Sequence, residues 1–125
     1  MMAISRLKRR PEYLRVAGAG LKAAAPGLVL QARKGDKADH MRVGFTASRR
    51  VGGAVARNRA KRRLKAVAEE VMPNYAVPQC DYVLIARGAT LHRPYGALRS
   101  DLKGALKRLG LCKNDDHTKV QKAAV

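Results

Sequence analysis

A chain of 125 residues holds one compact core and is too short for two ordinary domains. Lysine and arginine number 27 against 9 acids, a net charge of +18, while aromatic residues are 4% of the chain, so a core of Val, Leu, Ile and Ala must form against strong self-repulsion. That imbalance excludes a solubility surface of mixed sign and calls for a polyanionic partner; with no Trp and one Phe, the chain lacks the bulky anchors of a membrane-surface helix.

In chain order, residues 5–17 (SRLKRRPEYLRVA) read as a short basic helix with Pro11 in its first turn and Tyr13, Leu14, Val16 and Ala17 on a partly apolar face. Gly18 to Gly20 end it, and residues 21–25 can form a brief strand before Pro26-Gly27 turns the chain. Residues 28–33 are a strand candidate. Residues 42–48 alternate, with Val43, Phe45 and Ala47 on one face, which is the period of a half-buried strand. Gly52-Gly53 then breaks the chain, and residues 54–72 form the clearest helix, with Ala60, Leu64, Val67, Ala68 and Val71 on one stripe and Pro73 as its stop signal. The apolar run in residues 81–87 suits a strand covered on both faces. Residues 95–109 form a last helix that buries Leu98, Leu102, Ala105, Leu106 and Leu109. The expectation is a single-domain α+β sandwich over residues 1–110, in the order α-β-β-β-α-β-α, followed by a mobile basic tail at 111–125.

The segment 48–65, SRRVGGAVARNRAKRRLK, carries eight cationic residues and no acid. Exposed helices ordinarily intersperse Glu to make supporting pairs one turn apart, so this density costs stability unless phosphates neutralise it. At 100° per residue Asn58, Lys61, Lys65 and Glu69 fall toward one side of the exposed arc, and Arg59, Arg62 and Arg63 toward the other. The helix thus offers two cationic flanks for two RNA segments, with arginines suited to bidentate phosphate contacts and Asn58 to base edges or ribose hydroxyls.

Protein-borne phosphodiester hydrolysis would need clustered carboxylates or a placed acid–base pair. The acids are scattered, and His40, His92 and His117 show no metal-ligand spacing, so no catalytic residue, metal ligand or protein-bound cofactor is expected. Cys80 and Cys112 lack CxxC spacing and read as reduced thiols. No apolar run approaches a membrane span or a secretory signal, and the cytoplasm is the expected compartment.

The stretch RVGFTASRRVGGAVARNRAKRRLK resembles the signature of the bacterial ribonuclease P protein family: a strand, a Ser with two basic residues, a Gly turn, then an Arg-Asn-Arg helix. The basic start RLKRRPEYLRV, the later DYVLIAR and the final helix agree in order and spacing, so the likeness covers roughly residues 5–110. The resemblance implies that the Arg-Asn-Arg helix crosses between parallel strands with a left-handed β-α-β connection, an exception to the usual hand. It implies a noncatalytic subunit, a monomer in a 1:1 complex with ribonuclease P RNA, which holds the Mg²⁺ ions and the active centre. Ser48, Arg49, Arg50, Arg57, Arg59, Arg62 and Arg63 would contact that RNA. It also implies a cleft for the 5′ leader of precursor tRNA, lined at matching positions by Tyr13, Val29, Gln31, Asn58, Lys61 and Lys65. Ala17 and Gln31 depart from the family pattern, where aromatics are common, which weakens base stacking there. A ribosomal or other structural RNA-binding protein would explain the charge equally well but needs no second RNA surface.

Overall fold

The computed structural model describes residues 4–35 and 41–113. Within them the chain runs β1 (Ile4–Arg6), α1 (Arg10–Gly18), β2 (Leu21–Ala25), β3 (Leu28–Lys34), β4 (Met41–Ala47), α2 (Ala54–Tyr75), β5 (Cys80–Ala86), a 3-10 turn at Gly88–Leu91 and α3 (Tyr95–Arg108). The strands make one sheet in the order β1-β4-β5-β3-β2. β4 is parallel to both β1 and β5, while β3 is antiparallel to β5 and to β2. This is the mixed α+β fold expected, and α2 joins the parallel neighbours β4 and β5.

Alternation along the strands divides the side chains between two helical layers. Leu28, Leu30, Ala32, Met41, Val43, Tyr82, Leu84 and Ala86 face α2 and α3, where Ala60, Leu64, Val67, Leu98, Leu102 and Leu106 close the main core. Tyr82, its largest fully buried side chain, donates its hydroxyl to the Val77 carbonyl at 2.6 Å, so the polar end of the ring does not enter the core unbonded. On the opposite face Leu7, Val16 and Val83 form a smaller cluster under α1, flanked by Tyr13 and Ile85.

The structure corrects the expected order at four places. The N-terminal segment is not helical from residue 5: Ile4–Arg6 add to the free edge of β4, Leu7 donates its N–H to the Val43 carbonyl at 3.1 Å, and the helix begins at Arg10. Glu12 fixes that start by accepting the backbone N–H groups of Lys8 (2.9 Å) and Arg9 (3.0 Å), the helix's otherwise unpaired donors. Pro73 does not stop α2, which runs on to Tyr75. A proline removes one N–H, the partner of the Glu69 carbonyl, and Glu69 is exposed to water that can replace it; buried Val71 and Met72 hold the last turn in place. The 3-10 turn after β5 has no counterpart in the sequence reading; Thr90 builds it, accepting the Arg87 N–H at 2.8 Å and donating to the Gly27 carbonyl at 2.6 Å. Finally, the boundary at residue 110 falls too early. Leu111 and Cys112 are buried in the main core, and Cys112 pairs with Ala76 beyond α2. The rest of the expected tail, 114–125, lies outside the described residues, as does His40 with the turn before β4.

Candidate nucleic-acid interface

The interface is built around the entry to α2. After β4, Ser48 accepts the Arg50 N–H on its hydroxyl (3.3 Å) and the Val51 N–H on its carbonyl (3.0 Å), which turns the chain with Arg49 and Arg50 exposed. Gly52 follows at φ +144, and a Cβ there would lie 2.8 Å from the Ala56 methyl, so only glycine makes this bend into the helix. The first turn of α2 contains no acid. The partial positive charge of a helix N-terminus therefore adds to Arg57 and Arg59 instead of being offset, a combination that favours an anion from outside.

Burial of Ala60, Leu64, Val67, Ala68 and Val71 fixes the rotation of α2, as the stripe predicted. Its two flanks open into separate grooves. On one side Asn58, Lys61, Arg62 and Lys65 line a cleft of about 500 Å³ with Tyr13, Arg6 and Phe45. On the other, Arg59, Arg62 and Arg63 line a depression of about 400 Å³ with Ala66 and Tyr95. Among the described residues no acid lines either groove. Arg62 stands on the ridge and borders both.

Tyr13 reaches the cleft because the sheet leaves room for it. A Cβ at Gly44 would lie 2.6 Å from two ring carbons of Tyr13, so the ring rests directly on the backbone of β4. Its hydroxyl donates to the Leu7 carbonyl at 3.2 Å. The ring is half-buried, packed beside the smaller apolar cluster while one side lines the cleft. The helix that carries it is clamped by Arg42, which donates to Glu12 at 2.6 Å and to both carboxylate oxygens of Asp81 at 2.9 and 2.7 Å. The N–H groups of Arg9 and Lys8, then the Arg42 charge, lower the Glu12 carboxyl from its ordinary 4.5 to about 2.

The remaining expected residues fall elsewhere. Arg57 donates to the Gly52 carbonyl at 3.1 Å and Arg63 to the Thr90 carbonyl at 2.6 Å, so both guanidiniums brace the local fold as well as adding charge. Val29 and Gln31 are half-buried on the α1 side of β3, separated from β4 by β5, and are not part of the cleft wall. Gln31 does share a cross-sheet row with Val83 and Gly44, the seat of Tyr13. Arg6 and Phe45 join the cleft without having been foreseen, the Arg6 guanidinium lying 5.9 Å from the centre of the Phe45 ring. Alternation put Phe45 on the correct face, but only the pairing of β1 with β4 reveals that it meets Arg6 at an edge.

Among the described residues no group of three or more His, Cys, Asp or Glu is placed to hold a metal ion. Four of the described acids are already bound by arginine: Glu12 and Asp81 by Arg42, Asp101 by Arg93 and Glu70 by Arg99. No helix of the described residues is long and apolar enough to cross a membrane.

A model of the ribonuclease P family matches residues 1–110. The ribonuclease P protein component of Paramagnetospirillum magneticum is 50% identical over 111 residues, covering 86% of this chain and 84% of its own. That of Caulobacter vibrioides is 40% identical over 121 residues, covering 97% and 81%. Among solved structures, the RNase P protein of Staphylococcus aureus superposes with a TM-score of 0.71 at 24% identity, covering 85% of this chain and 95% of that one. The Thermotoga maritima protein gives 0.71 at 24%, covering 83% and 96%. At that identity the structures speak for the fold, while the family model and the closer sequences speak for descent. The chain belongs to the ribonuclease P protein family.

Proposed function

We propose that this protein is the noncatalytic subunit of ribonuclease P, binding the catalytic RNA on one flank of α2 and the 5′ leader of precursor tRNA on the other. One observation carries the reading: a single helix separates two basic grooves that no acid among the described residues lines. The arginine flank, with Ser48, Arg49, Arg50, Arg57, Arg59, Arg62 and Arg63, suits the folded RNA, because guanidinium forks bind phosphates in pairs. The cleft suits a single strand. Tyr13 offers a ring face for a base, a contact worth ~1–3 kcal/mol, while Lys61 and Lys65 supply point charge and Asn58 both donates and accepts.

The chemistry falls to the RNA in this reading, in a 1:1 cytoplasmic complex. The described carboxylates do not fit a magnesium site, because arginines occupy four of them and the fifth, Glu69, stands alone on α2. His92 is the one histidine among the described residues, which therefore hold no imidazole pair to serve as acid and base. The protein instead contributes cations where two polyanions must approach, which lowers the Mg²⁺ needed to screen them.

Reconstitution tests this. Added to a bacterial ribonuclease P RNA at low Mg²⁺, the protein should accelerate removal of the leader from precursor tRNA. Lys61→Ala with Lys65→Ala should weaken binding of leader-bearing substrate and spare assembly; Arg49→Ala with Arg59→Ala should do the reverse. Equal effects of both pairs on both measurements would refute the division of labour, and cleavage by the protein without RNA would refute the noncatalytic role.

A further inference from the structure

We infer that a third basic groove, on the α1 side of β1, continues the leader track beyond the cleft and holds RNA phosphates there. Ser5, Arg6, Lys8, Arg9, Glu12 and Arg42 line this depression of about 530 Å³. Arg6 also lines the Tyr13 cleft, so one guanidinium borders both. β1 is the edge of the sheet and only three residues long. A strand of RNA leaving the cleft past Arg6 therefore meets the groove directly around that edge.

The charges in the groove are arranged for an anion. Its one lining carboxylate among the described residues, Glu12, is consumed internally: it takes two backbone N–H groups and the Arg42 guanidinium. Asp81 beneath it is held by the same arginine. Among the described residues Arg6, Lys8 and Arg9 make no ion pair, and Lys8 and Arg9 are exposed. Three cations thus remain for an outside partner. Among the described residues no aromatic side chain lines the groove to stack a base; ammonium, guanidinium and the Ser5 hydroxyl recognise phosphate and ribose. The groove would anchor backbone without reading sequence.

This inference rests on the leader reading of the cleft, and the experiment separates the two. Lys8→Ala with Arg9→Ala removes two of the cations while Glu12 still caps α1, since the Arg9 side chain makes no cap hydrogen bond. Holoenzyme affinity is measured for precursor tRNAs with leaders of increasing length, at several salt concentrations. The unaltered protein should tighten in two stages as the leader fills first the cleft and then the groove. The double variant should keep the first gain, lose the second, and show a salt slope for the longest leader shallower by about 1.4, as for two single-strand phosphate contacts. The charge-preserving pair Lys8→Arg with Arg9→Lys should restore the second gain, which excludes a folding defect. A double variant equal to wild type at every length overturns the inference, as does one weakened equally for leaderless tRNA, which would assign the groove to the catalytic RNA. An unaltered protein indifferent to leader length would overturn the reading of the cleft itself, and this inference with it.

Discussion

Gly44 and Tyr13 pack as one unit although neither is charged. The ring rests where any Cβ would stand, so the missing side chain at 44 sets how far Tyr13 projects into the cleft. Gly44→Ala should reduce holoenzyme affinity for leader-bearing tRNA about as much as Tyr13→Ala, and adding both changes should cost little more than either alone. Additive losses would show that the two residues act separately. The family resemblance marked Tyr13, Val29, Gln31, Asn58, Lys61 and Lys65 as a group, and the structure brings four of them, Tyr13, Asn58, Lys61 and Lys65, to one cleft. The resemblance did not mark Arg6 or Phe45, whose meeting depends on pairing between strands 37 residues apart in sequence. Nor could it separate Val29 and Gln31 from the cleft, because their distance from it is set by the insertion of β5 between β3 and β4.

At the scale of elements, periodicity identified what it could reach. The stripe through Ala60, Leu64, Val67 and Val71 set the rotation of α2, and the alternation of Val43, Phe45 and Ala47 set the faces of β4. β1 was illegible because three residues carry no period, and its reason for being extended lies in the partner strand. Pro73 misled for a different reason: the rule describes a local penalty, and here the burial of Met72 and Val71 outweighs it. Beside its apolar contacts, α1 is attached through Glu12 and Arg42, and that gives it a pH signature. Glu12 has its pKa depressed in the fold, so its contribution is complete above the ordinary value of 4.5 and is lost as pH falls toward about 2. Amide exchange protection in α1 should therefore stay level from neutral pH to about 4.5 and decline below it, faster than in α3. Release of α1 well above pH 4.5 would show that Glu12 does not hold it.

For the whole molecule, the charge that identifies the partner also works against the fold. With a net charge of +18, the free protein should melt at higher temperature as salt rises from about 10 to about 500 mM, because screening relieves repulsion. Over the same range its affinity for RNA should fall. A melting temperature indifferent to salt would mean that the fold's own ion pairs already compensate the excess. Composition announced this tension plainly, but not its resolution in space, where arginines such as Arg42, Arg93 and Arg99 are spent on carboxylates and those of α2 make no ion pair among the described residues. The sealed cysteines have a practical consequence. Cys80 and Cys112 are 1% and 5% exposed, and burial pushes the Cys80 thiol up. A cysteine engineered at Val55, 73% exposed at the mouth of α2, would be the one accessible target for a maleimide probe. Fluorophores or photocrosslinkers placed there would then report how the ribonucleoprotein assembles, with the native thiols left silent.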